Sequence, residues 1–244
     1  MAAPALDFAG KVAVVTGVGR VGQIGHAVAD GFGRAGAKLV ICDVNAVNVA
    51  ERAKEFEAQG IPARAAAGNL TEPDVAAWVM EQALETYGRL DVLVNVAGGL
   101  TGIASVIEAP PDVLDRELTL NAGTMYVVSR AAAKAMSERG GGAIVSFASV
   151  AALHAKPQMA AYSAAKAAVA AITRALALEL RERQVRVNAV APGLVRTRDN
   201  RASVSDAGAV WVEIADVVNA VLFLASDLAA GITGHVLPVS RGEL

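Results

Sequence analysis

Short, nearly uninterrupted apolar runs alternate with longer stretches in which apolar residues recur every three or four positions. The runs fall at 12–16, 38–43, 63–67, 91–95, 143–148, 185–190 and 236–239, and each predicts a buried strand. The periodic stretches predict helices over 24–35, 46–59, 73–87, 111–138, 162–183 and 214–225. Gly36, Gly60 and the run Gly140, Gly141, Gly142 stand where three of these helices should stop. Strands that are apolar on both faces and separated by helices imply βαβ units: a doubly wound parallel sheet with helices on either side. The segment 195–209 is polar and reads as irregular.

At 244 residues, with 54% hydrophobic and 19% charged residues and 23 glycines, the chain can bury a large core with close helix–sheet packing. No linker of biased composition and no further repeat interrupts the alternation, so one domain is expected. The net charge of −2 gives no bias toward nucleic acid. The densest basic cluster, Arg181, Arg183 and Arg186, reads as a helix-end dipole contact or a solvated surface. Cys42 is the only cysteine, inside a predicted strand, which rules out an intrachain disulfide and a cysteine-rich metal site. His26 and His235 make no metal-binding spacing with Glu179 or Asp227, and no metal is expected. The first ten residues lack signal-peptide form and no long apolar span is present; a cytoplasmic protein with no membrane partner is expected.

Two features carry chemistry. Residues 16–25 join the first strand to the first helix and contain Gly17, Gly19, Gly22 and Gly25, a turn whose backbone amides and helix N-terminus can approach a pyrophosphate. Asp43 ends the second strand eighteen residues after Gly25, where a carboxylate hydrogen-bonds ribose hydroxyls and repels a 2′-phosphate. That favours NAD over NADP, against which Arg20 in the turn is the counterargument. The second feature is Tyr162 and Lys166, four apart on one helix face, with Ser149 thirteen residues upstream. A lysine so placed is expected to lower the tyrosine's pKa and let it move a proton near neutral pH.

With these in place the whole chain resembles the short-chain dehydrogenase/reductase family. The resemblance rests on residues 10–17, Asn95-Val96-Ala97-Gly98, Ser149, Tyr162-Ser163-Ala164-Ala165-Lys166, Asn188-Ala189-Val190-Ala191-Pro192-Gly193 and residues 233–239. It implies a Rossmann-type three-layer sandwich around about seven strands, and a homotetramer or homodimer built through the two long helices. It further implies Tyr162 as acid/base, Ser149 as the hydroxyl that orients the substrate oxygen, Lys166 on the nicotinamide ribose and Asn121 in a water-linked proton relay. Cofactor contacts are implied at Gly17, Gly19, Arg20, Gln23, Ile24, Asp43, Asn69, Leu70, Asn95, Ala97, Gly98, Tyr162, Lys166, Pro192, Gly193, Val195 and Thr197. His154 and Gln158 join Ser149 and Tyr162 as candidate walls of the substrate pocket.

The chain departs from the family pattern in several places. The glycine turn is two residues longer than usual, with Gln23 at the middle-glycine position. Asn69 stands for an aspartate, and Val96 for the second asparagine of Asn-Asn-Ala-Gly. Only about twenty residues separate Pro192 from the helix at 214, a short substrate lid that suits an open pocket, a bulky substrate or a lid completed by a neighbouring subunit. The expected activity is NAD-dependent hydride transfer between a nicotinamide and a secondary alcohol or ketone. A 3-oxoacyl-thioester reductase using NADPH and a non-catalytic dinucleotide-binding protein are the alternatives.

Overall fold

The computed structural model describes residues 6–242. Strands β1 (Val12–Thr16), β2 (Lys38–Asp43) and β3 (Ala63–Ala67) alternate with α1 (Ile24–Arg34), α2 (Ala46–Ala58) and α3 (Pro73–Tyr87). After β4 (Val92–Asn95), a loop leads into α4 (Val113–Glu117), a π-helical segment (Leu118–Gly123) and α5 (Thr124–Ser137). Then come β5 (Gly142–Phe147), α6 (Ala160–Glu179) and β6 (Val185–Pro192). Short β7 (Leu194–Val195), α7 (Arg198–Ser203) and β8 (Trp211–Val212) precede α8 (Ile214–Ala225) and β9 (Val236–Val239).

The main sheet has seven parallel strands in the order β3-β2-β1-β4-β5-β6-β9. Successive residues of β1 enter opposite cores, as a strand's two-residue period requires. Ala13 and Val15 pack with Val28 and Phe32 of α1, Phe56 of α2 and Val221 of α8. Val12 and Val14 pack with Val79 of α3, Val128 and Met136 of α5 and Leu176 of α6. This is the three-layer Rossmann-type sandwich the apolar runs predict. A full side chain such as Phe32 or Phe56, buried without remainder, contributes on the order of 2–3 kcal/mol.

Three differences from the sequence expectation have physical causes. The long helix starts at Val113 rather than at 111, and its π-helical turn carries the Thr124 hydroxyl's bond back to the Thr119 carbonyl, five residues earlier. The polar lid is not wholly irregular, because Thr197 accepts from the Asn200 amide and caps the short helix α7. Arg186 belongs to β6, and its guanidinium donates to the carbonyls of Leu224, Ala225 and Ser226, so it satisfies the C-terminus of α8 rather than of its own neighbour.

Candidate active site

The strand order reverses between β1 and β4, and a crevice opens beyond their carboxyl ends, where open parallel sheets bind ligands. Gly17, Gln23, Ile24 and Gly25 line one side, Val96, Ala97 and Gly98 the other, and Asp43, Asn69, Leu70 and Thr71 the end beyond β2 and β3. The turn after β1 depends on its glycines: Gly17 has φ +74°, and a Cβ on Gly25 would lie 2.1 Å from the Gly17 carbonyl oxygen. Asp43 accepts from the amides of Gly19 (2.8 Å) and Asn45 (3.0 Å) and stays half-exposed on the crevice. The α1 N-terminus has neither a capping side chain nor an acid in its first turn, leaving its amides to an anion. Free helix-end amides at one end and a half-exposed carboxylate at the other fit a dinucleotide.

The catalytic candidates converge beside this crevice. Ser149 follows β5 and begins a turn of 3₁₀-helix, accepting from the Ala151 amide. Alanines give α6 its helix propensity and let it pack closely, and its buried positions recur as Ala165, Lys166, Val169, Ala170, Thr173, Leu176 and Ala177. That periodicity carries Tyr162 to Ser149, to which it is hydrogen-bonded, and buries Lys166, whose ammonium donates to the Phe147 carbonyl at 2.8 Å. The same ammonium lies 5.7 Å from the centre of the Tyr162 ring. Asn121 sits in the π-helical turn, buried, accepting from the Gly99 amide (3.0 Å) and donating to the Gly99 carbonyl (2.9 Å). π-Turns inside helices recur at functional positions, and here the turn aims Asn121 at the end of β4.

Burial raises the Tyr162 pKa above its ordinary value, opposed by the Ser149 hydrogen bond and reinforced by the negative charge of Glu117. The expectation that Lys166 lowers the tyrosine is therefore corrected for the chain alone: desolvation outweighs the Ser149 hydrogen bond that opposes it, and Glu117 adds to the rise. Burial lowers Lys166 to about 8, with Glu117 acting the other way. Cys42 is buried in β2 and its thiol is pushed up to about 12, mainly by desolvation.

Several predicted residues take other roles. Asn95 donates to Ser129 (2.9 Å) and Ser146 (3.1 Å), bracing β4 against α5 and β5, and does not line the crevice. The Val96 and Ala97 amides donate to the Thr16 hydroxyl, which fixes this bend without an asparagine at 96. Arg20 pairs with Asp199 of α7. The Gly193 amide after Pro192 bonds the Val239 carbonyl, Val195 lies in β7, and Thr197 is buried as the α7 cap. His154 and Gln158 are exposed, and the Gln158 carbonyl accepts from the Ala104 amide of the β4–α4 loop. Trp211 is buried at the lid base with the Arg196 guanidinium 4.8 Å above its ring. Sequence reasoning missed Glu117, a buried carboxylate beside Asn121; its place four residues earlier on the same helix was the available signal. Among the described residues no group of three or more His, Cys, Asp or Glu could hold a metal, and no helix is long and apolar enough to cross a membrane.

The family profile described as short chain dehydrogenase matches residues 11–208. A versicolorin reductase of Emericella nidulans is 34% identical over 96% of this chain and 95% of its own length. The 7alpha-hydroxysteroid dehydrogenase of Escherichia coli is 31% identical, covering 97% of this chain and 95% of its own. Among solved structures, a 7 alpha-hydroxysteroid dehydrogenase complexed with NADH and 7-oxo glycochenodeoxycholic acid aligns with a TM-score of 0.90 at 31% identity, covering 97% of this chain and 95% of that one. A gluconate 5-dehydrogenase from Burkholderia cenocepacia in complex with NADP and tartrate gives 0.90 at 30%, covering 97% and 96%. Matches of this extent assign the chain a nicotinamide-dependent oxidoreductase chemistry between hydroxyl and carbonyl groups, with a small-molecule substrate. The chain belongs to the short-chain dehydrogenase/reductase family.

Proposed function

We propose that the protein is an NAD-dependent oxidoreductase interconverting a bulky, largely apolar secondary alcohol and its ketone. The observation that carries the reading is the meeting of Asn121, Ser149, Tyr162 and Lys166 beside a crevice closed by Asp43. A bound nicotinamide dinucleotide supplies the hydride acceptor or donor. The Ser149 hydroxyl holds the substrate oxygen, and Tyr162 gives that oxygen a proton in reduction or removes one in oxidation. Lys166, held by the Phe147 carbonyl, places positive charge beside the tyrosine and binds the nicotinamide ribose. Asn121 stands behind the pair as the support of a water-linked proton path.

NAD preference is supported by Asp43 and by the engagement of Arg20 with Asp199, since among the described residues Arg20 is the one basic residue lining the crevice. The size and character of the substrate are supported by Ile103, Val106 and Ile107 of the β4–α4 loop and by Leu153, all exposed. The loop is tied to Gln158, so these apolar residues belong to one rim. The polycyclic ligand of the related hydroxysteroid dehydrogenase is of this class. A cytoplasmic homotetramer or homodimer completes the reading, with the exposed Tyr126 of α5 and Leu178 of α6 as contact surface.

The test is a panel of short and polycyclic secondary alcohols and ketones assayed with NAD(H) and NADP(H). Turnover with NADH is expected to fall about 10²–10⁴-fold in Tyr162→Phe while NADH still binds. No turnover across the panel, with Tyr162→Phe altering only binding, sinks the oxidoreductase reading. Tighter NADPH than NADH binding sinks the cofactor choice.

A further inference from the structure

Among the described residues Glu117 is the one buried carboxylate and Lys166 the one buried ammonium. An ionised carboxylate does not stay in a protein interior without donors around it. Glu117 has three: its Oε1 accepts from the amide and the hydroxyl of Thr101, both at 2.7 Å, and its Oε2 accepts from Asn121 Nδ2 at 2.9 Å. Its ion-pairing neighbours on the helix surface do not reach it; Asp115 is exposed, and Arg116 is paired with Asp112.

The partners of Glu117 come from different parts of the site. Thr101 is exposed and belongs to the loop that carries Ile103, Val106 and Ile107. Asn121 is one of the four catalytic candidates, and a carboxylate can face only the donor end of its amide. Glu117 therefore joins the Gly99 amide and carbonyl in fixing which way Asn121 points, and pins the substrate-side loop to the same atom group. We propose that Glu117 is a positioning residue for this active site, coupling the β4–α4 loop to Asn121 by hydrogen bonds and to Tyr162 and Lys166 by its charge. This rests on the oxidoreductase reading above.

The charge half of the proposal has a direction. The titratable groups that feel Glu117 are Tyr162 and Lys166, both on α6, and its negative charge raises both. It thus holds the lysine charged and the tyrosine neutral, the pair of states needed to deliver a proton to a carbonyl oxygen. A carboxylate that served packing alone would be replaced by glutamine without effect on either.

The chain has three tyrosines, so the ultraviolet titration of Tyr162 can be isolated by subtracting the curve of the matching Tyr162→Phe protein. In Glu117→Gln the Tyr162 midpoint is expected to move to lower pH. Reductive turnover should fall about 10-fold, below the full penalty of a misplaced catalytic group, with NADH affinity unchanged. An unmoved Tyr162 midpoint with wild-type turnover would overturn the proposal. Glu117→Asp keeps the charge but withdraws it by one methylene from Thr101 and Asn121. It should also lose turnover while binding NADH, and wild-type turnover there would overturn the proposal whether or not the glutamine variant folds. The phenol titration needs no substrate. A wild type inactive on every alcohol and ketone would thus count against the oxidoreductase reading and leave the titration result to decide the role of Glu117.

Discussion

Lys166 should destabilise the protein that it serves, and the size of that effect can be worked from its surroundings. Burial lowers its pKa from an ordinary 10.5 to about 8, a difference worth about 3 kcal/mol. The unfolded chain binds the proton more tightly, so between pH 8 and 10.5 it carries more protons than the folded one. Stability must then rise with pH through that window, approaching about 1.4 kcal/mol per pH unit, and the penalty is fully present below pH 8. Lys166→Met removes the charge and the penalty, but leaves the Phe147 carbonyl without the donor it had at 2.8 Å, a loss of about 1–3 kcal/mol. At pH 7 the penalty is the larger or equal term, and the variant should match its parent or exceed it by up to about 2 kcal/mol. At pH 10 less than about 1 kcal/mol of the penalty remains, and the parent should lead by up to about 2 kcal/mol. Tyr162 titrates in the opposite sense: its raised pKa means that stability falls as pH climbs past its unfolded value near 10. The comparison therefore belongs in a Tyr162→Phe background, by urea unfolding without cofactor from pH 7 to 10, followed by tryptophan fluorescence. A parent-minus-variant stability that stays flat or falls as pH rises refutes the reasoning.

Gly25→Ala should unfold more easily by about 1–3 kcal/mol and lose NADH binding, because its Cβ falls 2.1 Å from the Gly17 carbonyl oxygen and neither backbone can yield. Gly60→Ala is the comparison: its new Cβ meets nothing within 4 Å, so only the left-handed backbone at φ +79° costs stability, about 1 kcal/mol. Equal melting losses and equal NADH affinities in the two would contradict this. Asp199→Asn releases Arg20 from its partner and should raise NADPH affinity relative to NADH by up to about fivefold, the scale of one exposed ion pair. An unchanged ratio in fluorescence titrations would show that Arg20 does not approach the adenosine end.

The layers of the fold were legible because a buried parallel strand announces itself twice, as an apolar run and by the glycines or polar residues that end it. β1, β2 and β3 fall where the runs do, and the boundaries of α1 to α3 differ by no more than a residue. Tyr162, Lys166 and Ser149 were legible because four residues on a helix is a fixed geometry and the strand end before Ser149 is unmistakable. What could not be read was the environment. Asn95 carries the residue type of a ligand contact, yet its partners Ser129 and Ser146 come from α5 and β5, and no local pattern predicts them. The π-helical turn at Asn121 leaves an ordinary helical sequence behind it, so no local pattern marks the Thr124 hydroxyl's bond to the Thr119 carbonyl. The sign of the Tyr162 shift depends on how much water the whole fold removes, which spacing on one helix cannot express.

The stretched glycine turn and the shortened lid are best understood as one change. The lid follows β6 and must come back over the crevice, and with few residues it needs an anchor close by. The turn provides it: the Gly22 carbonyl accepts from the Arg198 amide at 3.0 Å, and Arg20 pairs with Asp199 in the next position of α7. The fit at this point is close. Gly22 has φ +76°, and a Cβ there would lie 3.1 Å from the Arg198 Cβ, so a side chain would both strain the turn and push the lid away. The turn that leads into the free α1 amides is therefore the same segment that anchors the lid, through the Gly22 carbonyl and Arg20.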